Sequence, residues 1–199
     1  HVVTSKGKGY SFAQKDPKNF HGVSPFNILT GDLKKKKSAN FSEVFGNKIC
    51  ELAKDNPKVC AITAAMTGGT GLAKFKEMFK SRFFDVGIAE AHAVTFSSGL
   101  CAGGLTPVFA VYSSFLQRAY DEIIHDASMQ NLKVILAVDR AGFVGEDGEA
   151  HQGLFDVPFL NTVPNARIFA PSFFSELEEM LEEIVSCESN HIEVLRYPR

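Results

Sequence analysis

Tryptophan is absent from this chain, and 18 phenylalanines stand in its place as the large aromatic residue. Phenylalanine is therefore expected to fill much of the core. Cysteine is scarce and scattered. Cys50, Cys60, Cys101 and Cys187 form no CxxC pair, which argues against a zinc site or a disulfide framework and for reduced, buried thiols. A large excess of charge of either sign is lacking. A formal net charge of -2 offers no electrostatic handle for nucleic acid or an anionic membrane, and neither partner is expected. No apolar run approaches the length of a membrane span, and no signal peptide is visible. What remains is a chain of 199 residues, 45% hydrophobic, long enough for one packed domain and a substantial extra segment.

Residues 1–37 do not read as the start of a domain. HVVTSKGKGY begins as a strand and runs into a Gly-Lys-rich turn. Pro17 and Pro25 come next with little periodicity, and KKKK at 34–37 reads as a solvated linker. From residue 38 the pattern becomes regular. Asn40 is placed to cap a helix whose apolar face is Phe41, Val44, Phe45, Ile49 and Leu52, running to Asp55. Strands are expected at 58–63, 83–86, 106–111, 133–139, 167–170 and 192–195. Helices are expected at 71–80, 90–103, 114–129 and 175–186, with a polar, Gly-rich loop through 153. This alternation predicts an α/β fold, a mostly parallel sheet with helices on both faces.

The stretch FFDVGIAEAHAV, 83–94, carries the most information. A short strand, a turn at Gly87 and a helix opening near Ala89 put Glu90 in the first helical turn at the carboxyl end of a strand. Open α/β sheets bind ligands there. A carboxylate buried against a ligand at that point can give or take a proton with a raised pKa. It can equally be a helix-start residue that complements the dipole. Other post-strand loops hold Tyr112, Phe115 and Arg118, then Asp139, Arg140, Asp147 and His151, then Arg196 and Arg199. Arginines gathered at one sheet edge suit anion capture, most simply of phosphate. Alternatively Arg118 and Arg140 make structural ion pairs, for instance with Asp121 or Asp126. GEDGEAHQG, 145–153, suits a mobile active-site loop. TGGTG, 67–71, lies between a strand and a helix but matches neither nucleotide-binding fingerprint. No His/Cys/Asp grouping has metal-ligand spacing. His92, two residues after Glu90, faces another side of the helix and reads as a packed or substrate-side residue.

Four of these segments occur together and in order: FDVGIAEAHAVTF, VYSSFLQRAYDEIIHD, DRAGFVGEDGEAHQGLFD and the terminal RYPR. With KGKGYSFAQKDPKNFHGVSPF at 6–26, they resemble the middle of the 1-deoxy-D-xylulose-5-phosphate synthase family, thiamine diphosphate enzymes of the transketolase superfamily. The resemblance covers essentially the whole chain. It departs from the family at Ala91, where glutamine is usual.

The resemblance implies that 38–199 is a thiamine-diphosphate pyrimidine-binding domain and 1–37 the tail of a diphosphate-binding domain with its linker. It implies that Glu90 shares a proton with N1′ of the cofactor's aminopyrimidine, that Phe115 stacks on that ring, and that Ile88 and Met66 wall the pocket, with Arg118 beside it. Lys6 and His21 would lie near the diphosphate and the reacting carbon. Tyr112, Arg140 and Arg199 would hold the acceptor's phosphate, and Asp147 and His151 would contact substrate. The implied reaction decarboxylates pyruvate and joins the remainder to glyceraldehyde 3-phosphate, a step toward isoprenoid and thiamine precursors.

The family's GDG…N motif for diphosphate and Mg2+ is missing from this sequence, so the chain holds half of a cofactor site and is expected to be inactive alone. A missing diphosphate-binding domain and a homodimer are the implied partners. The chain opens on His1 rather than Met and reads as a fragment, located in the cytoplasm or, with an upstream transit peptide, in the plastid stroma. Two other readings share these residues. One is the pyrimidine-domain half of a split transketolase or 2-oxoacid dehydrogenase. The other is a non-catalytic interaction subunit.

Overall fold

Short runs of β-branched and small apolar residues make the centre of the protein a sheet buried on both faces. In a computed structural model the described residues are 1–17, 19–23, 25–33, 39–145 and 148–199. They divide into two units, His1–Ser38 and Ala39–Arg199. The expected lysine linker at 34–37 lies outside the described residues.

Among its described residues the first unit contains one short helix, α1 (Ser11–Lys15), and an isolated antiparallel bridge between Phe26 and Leu33. Tyr10 gathers Phe12, Phe20 and Phe26 around it at centroid distances of 5.4 to 5.7 Å. The strand expected at the amino terminus does not form. Val2 and Val3 are 84% and 83% exposed, and a β-branched run with no neighbour to pair with gains nothing from extension.

The second unit runs α2 (Phe41–Asp55), β1 (Val59–Thr63), α3 (Ala73–Met78), β2 (Phe83–Asp85), α4 (Glu90–Ala102) and β3 (Thr106–Tyr112). An irregular helix comes next. It comprises α5 (Ser113–Leu116), a 3-10 turn (Gln117–Ala119), α6 (Tyr120–Glu122) and a π-helical stretch (Ile123–Ser128). Then come β4 (Ile135–Asp139), a 3-10 turn (Glu149–His151), α7 (Asp156–Leu160), β5 (Ala166–Phe169), α8 (Phe174–Ser186) and β6 (Ile192–Arg196). The helix expected at 114–129 is thus present but not uniform. The sheet order is β2-β1-β3-β4-β6-β5, and every adjacent pair is parallel. Parallel strands need crossovers, which places helices on both faces.

Alternation along each strand decides which face a residue serves. Ile62, Phe109, Leu136 and Val194 point to the face covered by α4, the irregular helix and α7. Val59, Ala61, Val108 and Ile135 point to the face covered by α2, α3 and α8. Phe45, Phe75 and Phe109 are fully buried, whereas Phe143, Phe155 and Phe173 are 85%, 66% and 67% exposed. The core is therefore chiefly aliphatic, and phenylalanine serves both interior and surface. Asn40 caps α2 as expected, its side chain accepting from the Glu43 amide at 2.9 Å. All four cysteines are free thiols, and burial pushes the Cys60 thiol up to about 11. Among the described residues no helix is long and apolar enough to cross a membrane, and no group of three or more His, Cys, Asp or Glu could hold a metal ion.

Arg82 closes the carboxyl end of α2. Its guanidinium donates to the carbonyls of Ala53, Asn56 and Val59 at 2.9 to 3.1 Å and lies over the Phe79 ring. These carbonyls sit at the helix end and the strand start, where intrahelical donors run out. Arg82→Ala is expected to cost about 2 kcal/mol and to lower the unfolding midpoint by roughly 4–8 °C. Differential scanning calorimetry checks this, and an unchanged midpoint would refute it.

Candidate active site

The strand order reverses direction between β1 and β3, since β1 leads outward to β2 and β3 leads the other way to β4. The crevice beyond the carboxyl ends of these strands is where an open parallel sheet offers a ligand site. β3 pairs Ala110 with Thr63, the last residue of β1, and so extends two residues farther to Tyr112. Tyr112 in turn pairs with Asp139 at the end of β4. This stagger sets the loops after β1, β2, β3 and β4 around one opening.

Glu90 enters it from α4. β2 ends at Asp85, Gly87 takes a left-handed turn at φ 74°, and Ala89 donates to the Gly87 carbonyl at 2.8 Å before the helix begins. Glu90 is 3% exposed, and Oε1 accepts from the Arg118 guanidinium at 2.7 Å. Arg118 therefore pairs with Glu90. Asp121 instead meets His125, and Asp126 takes the Thr95 hydroxyl. In the chain by itself the neighbour of Glu90 is thus a cation, not a wholly apolar wall, and the pair offsets part of the cost of burying the carboxylate. The Arg118 guanidinium also lies 4.7 Å from the Phe115 ring centre.

Phe115 continues the wall. It stacks on Tyr112 at 5.8 Å and 18°, and His151 meets both rings edge-on at 5.3 and 6.1 Å. The Arg140 guanidinium covers the Tyr112 ring at 4.0 Å. Arg140 is only 5% exposed and has a left-handed backbone, φ 58°. Its side chain donates to Asp139 Oδ1, the Gly69 carbonyl and Ser42 Oγ. Burial pushes the Asp139 carboxyl above its usual range, with the Arg140 charge opposing. The Tyr197 phenol behind it is fully buried and raised well above its usual value, by burial first and by Asp139 second. The TGGTG loop packs against this group. A Cβ at Gly69 would fall 1.7 Å from the Tyr112 hydroxyl, so only glycine leaves the ring its place.

One continuous surface therefore brings together Glu90, Arg118, Phe115, Tyr112, His151 and Arg140. Met66 is buried in the core on the same side of the sheet, and Ile88 is 80% exposed beside the Gly87 turn. His92 does not pack inward but is exposed and stacked on Phe96. Arg196 is committed to Asp156, at 2.8 Å. Arg199 is exposed beyond β6. Asp147 lies outside the described residues, and Lys6 and His21 are exposed residues of the first unit. Beside the aromatic group a cavity of about 140 Å³ is lined by Ser113, Ser114, Gln117, Glu149 and Gln152. Ser113 Oγ, Ser114 Oγ and His151 Nδ1 are buried with no protein hydrogen-bond partner among the described residues.

The residues missed in the sequence are Ser42 and Asp85; Asp139 and the TGGTG loop were noted there, but not their contacts with Arg140. Asp85 carried a signal, because an Asp-x-Gly run leaving a strand favours a side-chain-capped turn. Ser42 carried none, since it reaches Arg140 only through the fold.

Known proteins resemble this chain along its whole length. The 1-deoxy-D-xylulose-5-phosphate synthase of Clostridium tetani is 53% identical over 199 residues, all of this chain and 32% of that relative. The synthase of Symbiobacterium thermophilum is 55% identical over the same span, 30% of its length. The chain thus spans about a third of the length of these curated relatives. Among solved structures, a split-gene transketolase described as an inactive beta4 tetramer superposes with a TM-score of 0.71 at 26% identity, over 82% of this chain and 52% of that one. A transketolase from Leishmania mexicana shares the fold, with a TM-score of 0.70 at 21% identity over 91% of this chain and 27% of that one. Matched along residues 37–199 by the model of the transketolase pyrimidine-binding domain, the chain belongs to that family.

Proposed function

We propose that this chain supplies the pyrimidine-binding part of a thiamine-diphosphate-dependent synthase that decarboxylates pyruvate and joins the remaining two carbons to glyceraldehyde 3-phosphate, forming 1-deoxy-D-xylulose 5-phosphate for isoprenoid and thiamine precursors. The observation that carries it is Glu90, a carboxylate 3% exposed at a strand-turn-helix junction, on one surface with Phe115, Tyr112, His151 and Arg140. The identity of 53–55% to synthases, against 26% to the split-gene transketolase, favours this reading over a transketolase half.

The residues suit the cofactor's pyrimidine end. When bound, thiamine diphosphate supplies the carbon nucleophile. Glu90 holds or passes a proton at the ring nitrogen N1′, which a buried carboxyl at a fixed helix start is placed to do. Phe115 offers its face for stacking, and Met66 and Ile88 offer apolar surface. Ile88, 80% exposed, is surface that a bound ring or an opposing domain would cover. Arg118, which bridges Glu90 and Phe115, lines the same pocket. Tyr112, Arg140 and Arg199 take the acceptor's phosphate, Arg140 as a charge fixed in place by Asp139, and Asp147 contacts substrate. His151, held edge-on against Phe115 and Tyr112, contacts substrate in this reading. The first unit, with Lys6 and His21, is the tail of the diphosphate-binding domain. An opposing domain holds the diphosphate and Mg2+, and the assembly is a homodimer in the cytoplasm or plastid stroma.

The test is a donor comparison in the complete protein. Pyruvate with glyceraldehyde 3-phosphate should give carbon dioxide and the five-carbon product, and ketose phosphate donors should give no transfer. Turnover of ketose donors without pyruvate would support the transketolase reading instead, and no turnover of either would support a non-catalytic subunit.

A further inference from the structure

Two turns carry the cofactor-facing groups, and one carboxylate holds both. β1 and β2 lie side by side with Thr63 paired to Asp85, and the Val86 amide donates to the Thr63 carbonyl at 3.0 Å. Immediately beyond, both chains turn through left-handed residues, Ala65 at φ 61° and Gly87 at φ 74°. Glycine adopts this conformation freely, whereas alanine is held there against its preference and needs surrounding contacts to keep it. Those contacts come from Asp85. Its Oδ1 accepts from the Ala65 amide at 2.8 Å and from the Gly87 amide at 3.1 Å, and its Oδ2 accepts from the Thr67 hydroxyl at 3.0 Å.

Residues of the site stand just beyond each turn. Met66 comes directly after Ala65, and Glu90 three residues after Gly87. Thr67 opens the TGGTG loop, whose Gly69 carbonyl accepts from Arg140 and whose Gly69 lies against the Tyr112 hydroxyl. We infer that Asp85 is a positioning residue. Its carboxylate clasps the loop after β1 to the turn after β2 and so sets Glu90 and Met66, and through the TGGTG loop Tyr112 and Arg140, at fixed distances. It acts through two backbone amides and the Thr67 hydroxyl rather than on cofactor or substrate. The inference rests on the proposed thiamine diphosphate site.

The chemistry separates geometry from charge. In Asp85→Asn the amide oxygen still accepts from both backbone amides, and the amide nitrogen donates to Thr67 Oγ in a reversed third bond. Asp85→Ala loses all three. Thiamine diphosphate binding to the complete protein, read by calorimetry without substrate and well below each variant's unfolding midpoint, is expected to weaken by about tenfold or more in Asp85→Ala and to stay within about threefold of the parent in Asp85→Asn. Thr67→Val, which deletes only the Oδ2 contact and keeps the side-chain shape, is expected to weaken binding by about threefold, and it carries the test if Asp85→Ala does not fold. Parent-like binding by Asp85→Ala or Thr67→Val overturns the inference, as does an Asp85→Asn variant as weak as Asp85→Ala. Failure of the parent to bind the cofactor is a different result, because it removes the proposed function itself.

Discussion

Glu90→Ala in the complete protein is expected to lower kcat by about 10³-fold or more, because it removes a proton-transfer group whose typical contribution is about 10²–10⁴ and which no neighbour replaces. Among the described residues Arg118 is the charged side chain in contact with Glu90, and a guanidinium cannot accept a proton at neutral pH. Glu90→Gln is expected to show a loss of similar size, since an amide keeps hydrogen bonding but not the acid. The KM for glyceraldehyde 3-phosphate should stay within about threefold, because the groups proposed for the acceptor lie on the Tyr112–Arg140 side of the surface. Misfolding is not a competing explanation that the geometry supports. Arg118 has a side chain 51% exposed and remains solvated when its partner is lost. Steady-state kinetics with matched circular dichroism spectra decide the matter. Activity within about tenfold of the parent would mean that Glu90 is a helix-start residue after all, and would favour a non-catalytic subunit.

The second large effect concerns the chain on its own. The isolated 199 residues are expected to bind thiamine diphosphate at least about a hundredfold more weakly than the complete protein, a difference of about 3 kcal/mol. The built part of the site addresses a ring: one carboxylate, a stacked aromatic pair and apolar surface. The cofactor's other end carries a diphosphate, whose desolvation must be offset by a metal ion and donors. The GDG…N motif that the resemblance implies for those groups is missing from this sequence. Calorimetric titration with Mg2+ present measures this directly. Sub-micromolar binding by the isolated chain would show that it carries a diphosphate site of its own.

Some elements were readable because their stability is local. Buried parallel strands appear as β-branched runs, and VCAIT and ILAVD read correctly for that reason. Asn40 announced α2 because capping involves residues three apart. The FDVGIAE junction was legible because a strand, a left-handed glycine and a helix start succeed one another in sequence. The extension expected at the amino terminus failed for the opposite reason. A strand exists only with a partner, and its own residues do not report whether one is there. The helix after β3 was readable as a helix, but its 3-10 and π-helical stretches were not. Helical periodicity records which residues face the sheet, not how tightly each turn is wound.

By itself the sequence determined the α/β class, the two-sided burial of the strands and the presence of a carboxylate at the mouth of the sheet. These depend on periodicity and on residues close in the chain. Only the tertiary structure decided what that carboxylate touches. Glu90 and Arg118 are 28 residues apart, and they meet because α4 and the irregular helix cover the same face of the sheet. Arg140 owes its place to Asp139 beside it and to Gly69 and Ser42, 71 and 98 residues away. Such pairings depend on strand order and register, which are set by how the whole core packs, and no local pattern encodes them.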